Sequence, residues 1–266
     1  MPRLPNATTA HRRGVPRSLR RLLGPALLLG AWVALSRSGV ISETVFASPA
    51  KVWDAFVDLV STGQLQHNLW VSLQRVLIGL FFGISVGVAL AVLAGLFQLG
   101  EDLIDGPMQI LRSLPVLALP PLMILWFGIG EEPKIVLISF GVAFPIYINT
   151  FAAIRSVDGR LVEAAGAAGL GRLGMIRHVI LPGALPGFFT GLRFAFAVSW
   201  LILVVGEQIN ATSGIGYLAM TAREFLRTDI IVVCLIVYGV LGFASDALIR
   251  LLERGALQWR PSFSGT

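Results

Sequence analysis

Apolar runs of membrane-spanning length alternate with short polar segments along most of the chain. The cleanest run extends from Val76 to Phe97 without a charge, and about 20 apolar residues are enough for a helix to cross the hydrocarbon core. Four more runs follow: Met108 to Ile129, Ile135 to Ala153, Gly187 to Val205 and Ile230 to Ala244. Runs of this length indicate an α-helical bundle, because each helix satisfies its own backbone hydrogen bonds.

The first apolar run, Leu22 to Leu35, is shorter and follows a cluster of arginines. It could be a cleaved signal peptide, but no small-residue cleavage site follows at once, which favours a retained first helix. We therefore predict an all-α polytopic membrane protein with six transmembrane helices. The predicted parts are a basic tail (1–21), the first helix (22–40), an outer connecting segment (41–69), the transmembrane core (70–252) and a C-terminal tail (253–266). Within 41–69, Ser48-Pro49 precedes an amphipathic pattern typical of a helix lying on the outer face.

The placement of lysine and arginine predicts the orientation, because these residues are enriched in cytoplasmic loops. With both termini in the cytoplasm, thirteen fall inside and six outside. The inner set is Arg3, Arg12, Arg13, Arg17, Arg20, Arg21, Arg155, Arg160, Arg172, Arg177, Arg250, Arg254 and Arg260, and the outer set is Arg37, Lys51, Arg75, Lys134, Arg223 and Arg227.

Composition agrees with a lipid environment. The chain is 55% hydrophobic and 14% charged, whereas soluble domains carry about a quarter charged residues. The net charge of +6 does not indicate nucleic-acid binding, because the basic residues flank the apolar runs. The single cysteine, Cys234, excludes an internal disulfide.

Gly83-Ile84-Ser85-Val86-Gly87 matches the nucleophile elbow of hydrolases, but that chemistry needs a strained turn and a histidine base. The match lies inside an apolar run, where glycines spaced four residues apart favour close helix packing instead. We therefore predict that the chain is not an enzyme.

The chain also has no phosphate loop, since its only lysines, Lys51 and Lys134, do not follow a glycine. No histidine, cysteine or carboxylate cluster has metal-ligand spacing. We predict no cofactor in this chain, so that energy for transport would come from a partner or from an ion gradient.

Four polar residues within or near the apolar runs are candidates for a translocation path: Arg193, Arg112, Asn149 and Ser199. A charge as deep as that of Arg193 is costly unless it faces a wet cavity or the bundle interior. Arg112 could instead reach the membrane surface, and the other two could bond between helices. Inward guanidinium groups would suit an oxyanion.

Prolines are the second signal for a path. Pro115, Pro120 and Pro121 interrupt the third run and Pro145 the fourth. Such helices are expected beside protein or a wet cavity, although harmless kinks are the alternative. The polar stretch from Glu207 to Asp229 is expected to be either a docking surface or a capping segment.

The longest inner loop contains an alanine-rich segment, Val162 to Gly169. Alanine favours helix and glycine ends it, so a short helix is predicted here. Its small side chains supply little membrane-insertion energy, which favours docking into another protein.

This segment resembles the permease subunits of bacterial ABC importers, which carry E-A-A, three residues, G, nine residues and I-x-L-P. The matching residues are Glu163, Ala164, Ala165, Gly169, Leu181 and Pro182, with Val179 in place of isoleucine. Further segments, such as Pro120 to Gly128 and Ser213 to Met220, resemble the aliphatic sulfonate branch of the nitrate, sulfonate and taurine group of type I importers.

The resemblance implies a permease of the bacterial inner membrane that forms a homodimer. A coupling helix at 160–178 would dock on a cytoplasmic ATPase, which binds ATP-Mg, and a periplasmic or lipid-anchored binding protein would deliver the substrate. The expected substrate is an aliphatic sulfonate, with taurine, nitrate, bicarbonate or a pyrimidine precursor as alternatives. A secondary transporter driven by an ion gradient is the alternative of another class.

Overall fold

The computed structural model describes residues 17–38 and 47–259. The predicted tail up to residue 16, part of the connecting segment and residues 260–266 lie outside the described residues, and so do the orientation assignments of Arg3, Arg12, Arg13 and Arg260. The described part is helical and contains no strand. Its helices are α1 (Arg17–Arg37), α2 (Pro49–Ser61), α3 (Gln64–Leu96), α4 (Gln98–Arg112), α5 (Pro120–Phe127), α6 (Glu132–Arg155), α7 (Gly159–Ala167), α8 (Arg172–Met175), α9 (Leu181–Asn210), α10 (Ile215–Glu224) and α11 (Thr228–Ala256).

Four described rods are long and apolar enough to cross a membrane: α3, α6, the rod Arg172–Asn210 formed by α8 and α9, and α11. They correspond to the second, fourth, fifth and sixth predicted apolar runs, and each rod also includes polar residues outside its run. The predicted amphipathic helix is α2, and the side chain of Ser48 caps it by accepting a hydrogen bond from the amide of Lys51.

The third predicted run is divided by its prolines, as the sequence indicated. Helix α4 ends at Arg112, a single 3₁₀ turn covers Val116–Ala118, and α5 begins at Pro120. A proline in the interior of a helix removes one backbone hydrogen bond, because it has no N–H group. In the first turn of a helix that N–H would have no partner within the helix, so a proline fits there. Pro145, by contrast, lies within the continuous helix α6.

Glycines bring the central helices α3, α6 and α9 into close contact. A Cβ placed on Gly83 of α3 would lie 2.6 Å from the carbonyl oxygen of Ser139 in α6, and one on Gly87 would lie 2.7 Å from that of Ala143. Helix α9 is equally close to α6, since a Cβ on Gly191 of α9 would lie 2.7 Å from the Pro145 carbonyl oxygen. The predicted packing stripe is therefore confirmed, and α3, α6 and α9 form one closely packed body that we call the three-helix body.

Ser85 shows why the nucleophile motif is a packing feature. It is exposed on the opposite side of α3 from the contacts with α6, and its hydroxyl donates to the carbonyl oxygen of Phe81, 2.7 Å away. The serine sits within a regular helix rather than in a strained turn. The geometry required of a nucleophile elbow is absent at this position.

The chain direction defines two ends of the bundle. At the coupling end α6 finishes and α9 begins, and residues 156–180 connect them. At the opposite, cap end, α10 packs between α9 and α11 with Ile215 fully buried. The α10 helix thus favours the capping interpretation of the stretch after Glu207, while Glu207 itself belongs to α9 and is buried.

Candidate functional site

The connection at the coupling end begins with the predicted short helix, α7. The side chain of Asp158 caps it by accepting a hydrogen bond from the amide of Arg160, 2.9 Å away. Two residues after its end at Ala167 comes Gly169, whose φ of +84° is the left-handed conformation that glycine adopts without strain. The amide of Leu170 bonds to the carbonyl of Ala165, and that of Gly169 to the carbonyl of Gly166, which is the Schellman pattern of helix termination.

Helix α7 contacts α8 and the π-helical turn after it but is not buried by them. None of its nine residues is buried. Glu163, Ala164 and Ala167 are exposed, while Ala165 is half-buried. Because Ala164 and Ala167 are small, the backbone of α7 is open to close approach by another surface at these two positions. The Glu163 carboxylate is exposed beside them.

The rest of the segment is more rigid than a single loop. Residues 160–178 are not one helix: after Gly169 the chain forms α8, then a π-helical turn over Ile176–Ile180 that runs directly into α9. Leu181 and Pro182 therefore lie inside a continuous rod, where Pro182 occupies the first turn of α9. A displacement of α8 would be carried along this rod.

Arg172 ties the start of that rod to α3. Its guanidinium carbon lies 5.3 Å from the centroid of the Phe97 ring, in the junction between α3 and α4. This is the geometry of a cation–π contact.

A cavity of about 560 Å³ opens beside α7, and its lining includes Asn149, Asp158, Leu161 and Trp259. The space between α7 and the end of α6 is thus not filled by packed side chains.

The four candidate path residues lie on different parts of the bundle. Arg112 is exposed at the end of α4, and Asn149 lines the cavity while its amide donates to the Pro145 carbonyl, 2.8 Å away. Ser199 is fully buried and donates to the carbonyl oxygen of Phe196. The structure does not join these side chains into one site within the described chain.

Arg193 has a partner that sequence reasoning did not find. Its side chain is 43% exposed and forms an ion pair with Glu253, near the end of α11. The two residues are 60 positions apart, so no local pattern could have paired them. The pair compensates the charge of Arg193, and part of the side chain remains exposed.

A second group of functional interest, at the cap end, was also missed. Arg75 is only 2% exposed. It donates to Glu207 Oε1 and to the carbonyl oxygen of Ser213, each 2.7 Å away, and forms a two-pronged contact with Glu131. By its position in the sequence Arg75 is a charge that flanks an apolar run, but the structure buries it beside two carboxylates.

Glu131 is the solvent-facing member of this group, with 53% of its side chain exposed. It also pairs with Lys134, whose ammonium group lies 3.4 Å away and donates to the carbonyl oxygen of Gly130. The hydrogen bonds from Arg75 hold the pKa of the Glu131 carboxyl below its usual value.

These features define a class of protein: a multi-pass helical membrane permease with an exposed helix between two of its central rods. Residues 79–258 match the family model described as "binding-protein-dependent transport system inner membrane component". The chain belongs to this family of ABC importer permease subunits, and it is a transport component of the inner membrane rather than an enzyme.

Relatives match over nearly the whole chain. The aliphatic sulfonates transport permease protein SsuC of Escherichia coli strain K12 is 48% identical, covering 90% of this chain and 91% of the relative. The protein of the same name from Bacillus subtilis strain 168 is 40% identical, covering 93% and 90%. Among solved structures, an amino acid ABC transporter crystallised with histidines has a TM-score of 0.60 at 17% identity, covering 75% of this chain and 97% of that one, which establishes the permease fold.

Proposed function

We propose that this chain forms the membrane path of an ATP-driven importer for aliphatic sulfonates. The observation that carries the proposal is α7, an exposed alanine-rich helix ended by Gly169. An isolated membrane permease gains nothing from an unburied helix at this point. A permease driven by a soluble ATPase needs one.

Two copies of the chain would enclose the path, and each α7 would dock in a cleft of a cytoplasmic ATPase subunit that binds ATP-Mg. Exposed Ala164 and Ala167 would allow close approach, and Glu163 would supply a polar anchor. The coupling end would then be cytoplasmic, together with both termini. The cap end would face outward, where a periplasmic or lipid-anchored binding protein delivers substrate.

The mechanical step follows from the connection of α7 to the three-helix body. The α7 helix is linked to α6 on one side and, through α8 and the π turn, to α9 on the other. Since glycine contacts hold α6 closely between α3 and α9, closure of the ATPase dimer would move these rods as a unit. The motion would switch the path between inward-open and outward-open states.

The sulfonate assignment rests on the names of the relatives and on chemistry. A sulfonate is a tetrahedral oxyanion on an apolar tail, and a guanidinium group can bind it through paired hydrogen bonds. The exposed part of Arg193 is the candidate for that contact, with Asn149 nearer the coupling end.

Uptake by proteoliposomes that contain the permease, its ATPase and its binding protein tests the proposed substrate. We expect ATP-dependent accumulation of a radiolabelled alkanesulfonate that excess unlabelled alkanesulfonate abolishes. Competition that is instead strongest with taurine, nitrate, bicarbonate or a pyrimidine precursor would reassign the substrate within the same class.

The same vesicles distinguish an ATP-driven importer from an ion-gradient transporter. Uptake should require ATP on the ATPase side and should persist when ionophores dissipate ion gradients. Uptake that needs a gradient and continues without ATP or ATPase would contradict the proposal.

A further inference from the structure

The cap helix α10 is held by its backbone amides. The amide of Gly214 donates to Asn68 Oδ1 at 2.7 Å, that of Ile215 to Ser72 Oγ at 2.9 Å and that of Gly216 to Glu207 Oε2 at 2.8 Å. The first amides of a helix have no partner within the helix. Here three consecutive ones are satisfied by side chains of α3 and α9.

Arg75 and Glu207 complete this arrangement. Ser72 donates to Glu207 Oε1 at 2.7 Å, Arg75 donates to the same oxygen, and Arg75 also bonds to the carbonyl of Ser213, directly before α10. Glu207 is 1% exposed, so its charge is balanced almost entirely by Arg75 and by the amide end of α10. We call these contacts among α3, α9 and α10 the cap joint.

Glycines allow this close seating. A Cβ on Gly214 would lie 2.3 Å from Glu207 Oε1, and one on Gly216 would lie 2.7 Å from the Cβ of Glu207. A side chain at either position would therefore push α10 off the carboxylate. These contacts seat one side of α10 on α3 and α9, while α10 also packs against α11.

Both ends of the bundle consequently connect to the same helices. At the coupling end, α7 joins α6 to the rod that contains α9. At the cap end, Glu207 of α9 and Arg75 of α3 hold α10. Arg75 is also bonded to Glu131, which directly precedes α6. The hydrogen bonds around α10 therefore involve residues on α3 and α9 and one directly before α6.

We propose that Arg75 and Glu207 are positioning residues for transport, because they make α10 move with the three-helix body. This inference rests on the proposed function. A binding protein that docks on the cap end would then act on the rods that α7 connects to the ATPase, and the cap joint would transmit its arrival to ATP hydrolysis.

The test is the ratio of ATPase activity with and without the binding protein, in reconstituted complexes. Arg75→Met alone leaves Glu207 buried without its partner, which is strongly destabilising. The double variant Arg75→Met/Glu207→Gln removes both buried charges and keeps an acceptor for the Gly216 amide. We expect the double variant to recover the complex yield that the single variant loses.

The stimulation ratio should nevertheless remain at least about fivefold below that of the unmodified complex, the lower range of coupling between distant sites. A purely structural joint would recover yield and stimulation together. A double variant that is stimulated normally would therefore overturn the proposal.

Gly214→Ala supplies an independent test if the double variant fails to assemble, since it lifts α10 while retaining every charge. The matched control is Gly242→Ala in α11, where a Cβ would meet nothing within 4 Å. We expect a reduced stimulation ratio for Gly214→Ala alone, and equal ratios in the two variants would contradict the inference. An unmodified chain that forms no ATPase complex would instead refute the proposed function.

Discussion

Substitution of Gly83 by alanine tests the packing of the three-helix body. The added Cβ would lie 2.6 Å from the carbonyl oxygen of Ser139 and 2.7 Å from the Cβ of Val142. Ordinary van der Waals contact requires a separation of 3.4–4 Å. Helix α6 would therefore have to move away from α3 by about 1 Å. Such a movement would also disturb the contact of α6 with α9, which Gly187 and Gly191 hold equally close.

Overpacking of this kind typically costs about 1–3 kcal/mol, and we expect a loss of that size in the free energy of unfolding. It can be measured by circular dichroism as SDS is increased in mixed detergent micelles. Gly239→Ala in α11 is the matched control, because a Cβ there meets nothing within 4 Å. Unfolding of the Gly83 variant at the same SDS fraction as the control would refute the packing argument.

Three further predictions concern single side chains. Arg193→Ala should lower sulfonate uptake without changing the recovery of the ATPase complex, and normal uptake would remove Arg193 from the path. Ser85→Ala should leave uptake unchanged, whereas loss of turnover in an assembled complex would revive the hydrolase hypothesis. The pKa of Glu131 is lowered in the folded protein. Its pairing with Arg75 therefore stabilises the fold fully above the usual carboxyl pKa, and this stabilisation is lost as the pH falls through the lowered pKa. Glu131→Gln should therefore lose less thermal stability between about pH 5 and pH 3 than the unmodified chain; parallel curves would contradict this.

Much of the helical architecture was predictable because it depends on local pattern. Apolar runs gave four of the rods, and the proline positions gave the interruption between α4 and α5. Glycine spacing in α3 indicated a packing face, and alanine followed by Gly169 indicated a terminated helix. Each of these signals lies within a few residues of the feature it predicts.

The cap joint could not be predicted in the same way. Arg75 and Glu207 are 132 positions apart, and each stands near the end of an apolar run, where an isolated charge usually reaches water. Only the tertiary arrangement of α3 and α9 turns them into a buried pair. One signal was available: opposite charges at the same predicted membrane end, with a glycine-rich turn between Ser213 and Gly216.

The docking of α7 on an ATPase is the central claim, and affinity co-purification after Glu163→Arg tests it most directly. Reversal of the charge on this exposed helix should abolish recovery of the ATPase while the permease remains folded. The matched variant Glu224→Arg, at an exposed position at the end of α10, should retain the ATPase as the unmodified chain does. Equal recovery of the ATPase by both variants, with uptake intact, would contradict the account.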